Sequence, residues 1–151
     1  MLQLAVMGDR AAVNAIAAQV HALHIAWRPD IYCQSNEMYP EKRFQAAVSA
    51  QQLYVARLDG NVVGYVVLKI CDFNWPGVVR RKVMFVDEFG VHEAYRGKGI
   101  GTKMMEDVHA LAQASGCTDL QLGVYPQNEG AVRFYESFGF TIRSIDMQKK
   151  V

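Results

Sequence analysis

Three glycines at alternate positions, Gly97, Gly99 and Gly101, separate a segment with strand character from one with helical periodicity. The strand is predicted over residues 83–91 and the helix over 99–115. Glycines leave the backbone of the turn unshielded by side chains. The start of a helix offers unpaired N–H groups and the positive end of the helix dipole. A strand, loop and helix of this kind favour a site for a phosphate or pyrophosphate group.

The residues around these glycines limit which phosphate-binding motif this is. Arg96 and Lys98 add positive charge to the turn. A Walker loop ends in Gly-Lys followed by Ser or Thr, and that ending is absent. A dinucleotide-binding fingerprint places its first glycine directly after an N-terminal strand, whereas here a charged loop follows a strand in mid-chain. On the glycines alone, a tight turn that binds nothing stays an alternative.

The order of predicted elements indicates the fold class. The predicted strands cover residues 2–7, 53–58, 62–71, 83–91, 120–125 and 140–147, and the predicted helices cover 10–27, 40–50, 99–115 and 128–138. Antiparallel strands followed by alternating helices and strands predict an α/β protein with a mixed, mostly antiparallel sheet and helices on both faces. No repeat or linker divides the chain, so residues 1–151 are expected to form one domain.

Composition excludes several classes of protein. Hydrophobic residues make up 51% of the chain, charged residues 21%, and the formal net charge is +1, which predicts neither a nucleic-acid surface nor a membrane anchor. No apolar run is long enough to cross a membrane, and the N-terminus lacks the features of a signal peptide. Cys33, Cys71 and Cys117 are widely spaced, so reduced thiols are expected, with no metal site. A cytoplasmic location is the expectation.

Two blocks of sequence resemble one family. The first is Arg96-Gly97-Lys98-Gly99-Ile100-Gly101, which is similar to Arg/Gln-x-x-Gly-x-Gly/Ala. The second begins at Asn128 and ends at Phe140, and resembles Asn-x-x-Ala-x-x-Phe-Tyr-x-x-x-Gly-Phe. In this order and separation, the two blocks resemble the GNAT superfamily of N-acetyltransferases. The strand order is also similar to that fold.

The resemblance implies that acetyl-CoA is the co-substrate. It implies that the backbone of three strand residues pairs with the pantetheine arm, that the strand splays from residues 120–125, and that the glycine-rich turn wraps the pyrophosphate. Asn128 resembles the family's polar contact to pantetheine or to a water molecule. The implied cofactor-binding residues are Phe89, Gly90, Val91, Arg96, Gly97, Lys98, Gly99, Ile100, Gly101, Thr102, Asn128 and Tyr135.

The resemblance also implies the catalytic residues. Tyr135 matches the tyrosine that donates a proton to the leaving thiolate, with core packing as its alternative role. An alkylammonium keeps its proton until roughly pH 10, so a base is needed. Asp87 is the first choice and Glu88 the second, with bulk water as a third. By strand alternation these two carboxylates are expected on opposite faces, with Asp87 on the face of Phe89 and Val91.

The acceptor is less constrained. The resemblance implies a pocket built from the first two helices and the loop at 72–81, which makes His24, Trp27, Tyr32 and Trp75 the candidate substrate-binding residues. The expected reaction is direct attack by a primary amine, on a small molecule or a peptide N-terminus, in a ternary complex. A non-catalytic acyl-CoA sensor on the same fold is the alternative, and a homodimer through the last strand is possible.

Overall fold

The structure, a computed structural model, describes all residues 1–151 and contains one five-stranded sheet. Its strands are β1 (Leu2–Leu4), β2 (Leu53–Leu58), β3 (Asn61–Phe73), β4 (Arg81–Val91) and β5 (Asp119–Leu122), and they lie side by side in that order. The first three pairs are antiparallel and β4–β5 is parallel. The prediction of a mixed, mostly antiparallel sheet is therefore confirmed.

Four helices cover the two faces of the sheet. They are α1 (Arg10–Trp27), α2 (Glu41–Ser49), α3 (Ile100–Ala114) and α4 (Glu129–Ser137). The first two pack on one face, which we call the α1 face, and α3 and α4 pack on the other, the α3 face. Two separate apolar clusters result, because side chains of successive strand residues alternate between the faces.

A β-bulge in β4 shifts that alternation. Val67 pairs with Glu88 and Leu68 with Val86, so Asp87 is the extra residue without a partner on β3. Met84, Val86, Phe89 and Val91 contact the cluster under α3. Asp87 and Glu88 instead bond to residues of the α1 face, namely Lys69 and Tyr65. The predicted placement of the two carboxylates on opposite faces, with Asp87 beside Phe89, is wrong because the bulge adds one residue.

The C-terminal segment differs from the prediction. Residues 140–147 were predicted as a strand, but the chain has no regular secondary structure after α4. The last backbone hydrogen bond of the chain joins Phe140 to Tyr135, and Ile142 and Met147 are 82% and 93% exposed. A strand requires a partner, and apolar alternation in a sequence predicts strand propensity without specifying one. The strands predicted at 2–7 and 120–125 also end early, at Leu4 and Leu122.

Three properties concern the whole chain. None of the helices combines the length and apolar character needed to span a bilayer. Cys33, Cys71 and Cys117 are all free thiols. No group of three His, Cys, Asp or Glu side chains is arranged to hold a metal ion.

Candidate functional site

A gap opens in the sheet where β4 and β5 separate. Their parallel pairing starts at Val83 and ends where Val86 meets Leu122. Beyond that point β4 continues to Val91, still paired with β3 on its other side. Apart from the Val91 carbonyl, the backbone groups of β4 that face β5 are therefore free over residues 87–91. A cleft of about 300 Å³ lies at the fork, lined by Phe85, Val86, Asp87, Gln121, Leu122 and Gly123.

The glycine-rich turn lies directly after the free edge of β4. Gly97 and Gly99 have φ angles of 72° and 78°, a left-handed conformation that favours glycine. Gly99 is the residue before α3, and no side chain caps the helix start. The first N–H groups of α3 are therefore exposed donors at the positive end of its dipole. Ile100 is buried and anchors the helix, whereas Thr102 is exposed.

The two basic residues of the turn behave differently. Arg96 Nε donates a hydrogen bond to the Val91 carbonyl at 2.9 Å, which ties the turn to the end of β4. Lys98 Nζ lies 5.4 Å from the centre of the Tyr95 ring and remains on the surface. Gly101 faces Phe134 of α4.

Tyr135 lies on α4 in an aromatic cluster. Its ring centroid is 6.4 Å from that of Phe89, 5.3 Å from Phe134 and 5.7 Å from Phe140. Burial raises the pKa of Tyr135 to about 12. The phenol therefore keeps its proton through the neutral range and can act only as a donor or a neutral acceptor.

The two β4 carboxylates have separate partners on the α1 face. Tyr65, which is 2% exposed, donates its hydroxyl to Glu88 Oε2 at 2.8 Å. Arg43 of α2 bonds Glu88 Oε1 at 3.2 Å. Asp87 forms an ion pair with Lys69 of β3. Burial, followed by the nearby Glu88 charge, raises the pKa of Tyr65 well above its usual value, so its hydroxyl stays a donor.

Asn128 has a structural task in addition to its implied role. Its side-chain oxygen accepts a hydrogen bond from the Ala131 N–H at 3.2 Å and so caps α4. The side-chain amide N–H groups make no bond within the chain.

The structure brings three of the four candidate acceptor residues together. The His24 ring lies 5.9 Å from Trp27 and 5.2 Å from Tyr32. Trp75 is apart from them, half exposed in the loop after β3, where it packs 4.9 Å from Phe73. Burial is the main cause that lowers the pKa of His24, which therefore favours the neutral imidazole.

Three residues of this region were not predicted as site residues. Tyr65 and Arg43 hold Glu88, and Tyr125 bonds Tyr32. No sequence signal points to Tyr65 or Arg43, because each reaches the site from another strand or helix. Tyr125 carries a partial signal, since it directly precedes the Pro126 that ends the predicted strand.

Comparison with known proteins agrees with this geometry. An N-acetyltransferase of unassigned function from Methanocaldococcus jannaschii is 32% identical over 93 residues, which cover 61% of this chain and 40% of that protein. The thialysine N-epsilon-acetyltransferase of Mus musculus is 33% identical over 78 residues, 52% of this chain and 44% of that protein. The chain thus spans about half the length of the curated relatives it matches.

A solved structure extends the likeness to the whole chain. The tetramutant of the BH1408 protein from Bacillus halodurans superposes with a TM-score of 0.94 at 28% identity, covering 100% of this chain and 99% of that one. The model of the acetyltransferase (GNAT) family matches residues 20–140. These matches confirm the resemblance stated from the two sequence blocks. The chain belongs to the acetyltransferase (GNAT) family.

Proposed function

We propose that this chain, acting as one domain over residues 1–151, transfers an acetyl group from acetyl-CoA to a primary amine. The observation that carries the proposal is the free edge of β4 beyond Val86, which leads into an uncapped helix start at Gly99. An extended pantetheine arm can add to such an edge as a strand does. The first N–H groups of α3 suit its pyrophosphate.

The residues present fit this co-substrate. Gly97 and Gly99 give the turn a left-handed backbone that other residues rarely adopt, and the open space beside both glycines leaves room for a phosphate group. Arg96 holds the turn against β4, and Lys98 supplies a charge that is free to move to a phosphate. The amide N–H groups of Asn128 remain available to a pantetheine oxygen while its carbonyl caps α4.

The chemistry proposed is a direct attack in a ternary complex. The amine nitrogen forms a bond to the acetyl carbon while the bond from that carbon to sulfur breaks. A carboxylate on β4 takes one proton from the ammonium before attack, and Tyr135 gives its proton to the departing sulfur. The second proton that the nitrogen loses as the amide forms restores the Tyr135 phenol. The high pKa of Tyr135 keeps that proton in place until it is needed. Holding both substrates in one gap supplies a large part of the rate gain.

Of the two carboxylates, we propose Glu88 as the base. Both lie on the α1 face, which is the face of the acceptor residues His24 and Tyr32. Glu88 is positioned by the buried hydroxyl of Tyr65, and it is close enough to His24 to raise that imidazole's pKa by its charge, although burial prevails. Asp87 is held in its ion pair with Lys69 at the edge of the cleft. Glu88→Gln is expected to lower kcat at least tenfold, and Asp87→Asn less than threefold.

The acceptor proposed is an alkyl primary amine on a small molecule. The mouse relative carries the name of an enzyme that acts on thialysine, a primary alkylamine. Aromatic rings of His24, Trp27 and Tyr32 beside Glu88 suit an ammonium group on an alkyl chain. A peptide N-terminus is the alternative acceptor, and a panel that contains both separates them.

Calorimetry and turnover test the proposal in two steps. Purified protein is titrated with acetyl-CoA, CoA, ATP and NAD, and binding of the first two alone is expected. Thiol release is then followed with the amine panel. Tyr135→Phe should lower kcat at least tenfold and change the Kd for acetyl-CoA less than twofold. Binding without turnover over the whole panel would favour the acyl-CoA sensor, and no binding of CoA at millimolar concentration would refute both.

We also propose that two copies associate through the C-terminal segment. Residues 141–151 have no backbone hydrogen bonds, and Ile142, Ile145 and Met147 are at least 79% exposed. The outer edge of β5 is likewise unpaired. A second copy of the chain can satisfy both edges by strand pairing. Light scattering should give twice the 16.9 kDa chain mass, and Ile145→Lys should shift the protein toward the monomer.

A further inference from the structure

Two exposed segments meet through one pair of side chains. Residues 29–37 are part of the connection from α1 to α2, and Tyr32 is the one partly buried residue among them. Residues 123–127 follow β5, and Tyr125 is the one partly buried residue among them. The two tyrosine hydroxyls lie 2.8 Å apart and share a hydrogen bond. Each segment thus has one partly buried residue, a tyrosine, and the two tyrosines bond each other.

Neighbouring rings fix the geometry of this pair. The His24 ring lies 5.2 Å from Tyr32 and 6.0 Å from Tyr125, so the three rings form one packed group. The His21 imidazole bonds the carbonyl of Cys33 at 2.7 Å, which holds the loop beside α1. The bond shared with Tyr125 is the main cause that raises the pKa of Tyr32, so the Tyr32 hydroxyl keeps its proton at neutral pH.

The position of the pair relates it to the sheet gap. A side chain at Gly90 would touch Ile16 and Val20 of α1, so this part of α1 lies over the free part of β4. His24 is one turn further along α1, close enough to Glu88 for its charge to be felt. Tyr125 is three residues past Leu122, where β5 has left β4. The hydroxyl pair therefore joins the loop beside α1 to the segment that leaves β5, next to His24 on the α1 face.

We infer that Tyr32 and Tyr125 form a latch across the acceptor-facing mouth of the gap, and that this latch selects slender, unbranched primary amines. The inference rests on the proposed acetyl transfer and adds its acceptor selectivity. With the hydroxyls joined, the loop at 29–37 and the segment at 123–127 narrow the approach to Glu88. A linear alkylamine passes a narrow mouth, whereas a branched or ring-bearing amine requires the latch to open.

Kinetics of hydroxyl-deletion variants test the selectivity. Tyr32→Phe, Tyr125→Phe and the double variant keep the rings and remove the shared bond. The ratio of kcat/KM for a linear diamine to that for a branched amine is expected to fall about fivefold in each single variant, as befits one neutral hydrogen bond. The double variant should fall no further, because the same bond is lost once. The change in kcat/KM should come from the KM for the amine, and the Kd for acetyl-CoA should stay within twofold of the wild-type value.

A matched control and a second measurement keep the latch testable without turnover. Tyr54→Phe removes a phenol hydroxyl from β2, away from the gap, and should leave the ratio unchanged. Amide hydrogen exchange over residues 29–37 should quicken about fivefold in Tyr125→Phe and not in Tyr54→Phe. Equal losses for both amines, additive losses in the double variant, or unchanged exchange would each overturn the latch. Quickened exchange in a protein that acetylates no amine would support the latch and refute the proposed function.

Discussion

Replacing Gly90 with alanine should destabilise the protein. In general the same substitution stabilises a protein, because alanine lowers the conformational entropy of the unfolded chain. A Cβ at this position would lie 2.8 Å from Cε1 of Tyr65 and 3.2 Å from methyl groups of Ile16 and Val20. The Tyr65 ring cannot move freely, because it is buried and its hydroxyl bonds Glu88. The added methyl therefore strains the contact between α1 and the sheet.

The size of the effect follows from two opposing contributions. Overpacking a well-filled core costs about 1–3 kcal/mol. Replacing glycine with alanine recovers about 0.4–1 kcal/mol through the unfolded chain. The central values of these two ranges leave a net fall of about 1.3 kcal/mol in the free energy of unfolding, which lowers Tm by about 3–5 °C for a chain of this size.

Calorimetric or circular-dichroism melting of Gly90→Ala measures this shift. Gly101→Ala is the matched control, because its Cβ would lie 3.6 Å from Phe134, an ordinary contact, in a helix where alanine is favoured by about 1 kcal/mol. Its Tm should equal or exceed that of wild type. If Gly90→Ala melts at or above the wild-type temperature, then the close approach of Tyr65 does not restrict this position, and the reasoning fails.

Three further predictions concern single interactions. Arg57→Gln should lower the free energy of unfolding by about 1–3 kcal/mol, because it leaves the buried Asp9 carboxylate without the Arg57 guanidinium 2.6 Å from its oxygen. Urea denaturation measures this loss of stability. Asn128→Asp should keep Tm within about 2 °C, since a carboxylate also caps α4. The same variant should bind acetyl-CoA more weakly, because it removes the amide N–H groups proposed to donate to pantetheine, and calorimetry measures both Tm and binding. The kcat profile should show no descending limb from Tyr135 between pH 7 and about pH 10, because a pKa raised to about 12 keeps the phenol protonated throughout.

Each of these has its own control. Arg80→Gln breaks an exposed pair with Asp72 and should change stability by less than about 0.5 kcal/mol, so an equal loss in both arginine variants would contradict the burial argument. Asn128→Ala should cost about 1 kcal/mol, since it removes the cap itself. A descending limb near pH 9 that disappears in Tyr135→Phe would show that the phenol ionises in the range where the structure keeps it neutral.

Local sequence determined the elements and the family. Helical periodicity through Val13, Ile16 and Val20 predicted α1 within its observed bounds, because helix hydrogen bonds and one apolar face are both encoded nearby in the chain. The glycines after β4 specify their turn for the same reason, since Gly97 and Gly99 adopt angles that other residues rarely do. The two motif blocks led to the family on residue identity and spacing alone.

Tertiary structure decided what depends on a partner distant in sequence. The bulge at Asp87 exists only in the pairing of β4 with β3, and it places both carboxylates on one face against the alternation of the strand. Tyr65 reaches Glu88 from another strand, and Tyr32 reaches Tyr125 across 93 positions of chain. Strand character at 140–147 likewise produced no strand, because no edge of the same chain pairs with it. A sequence pattern encodes secondary-structure propensity and the period of apolar residues. Strand register, bulges and contacts between residues distant in the sequence are fixed only when the elements pack against each other.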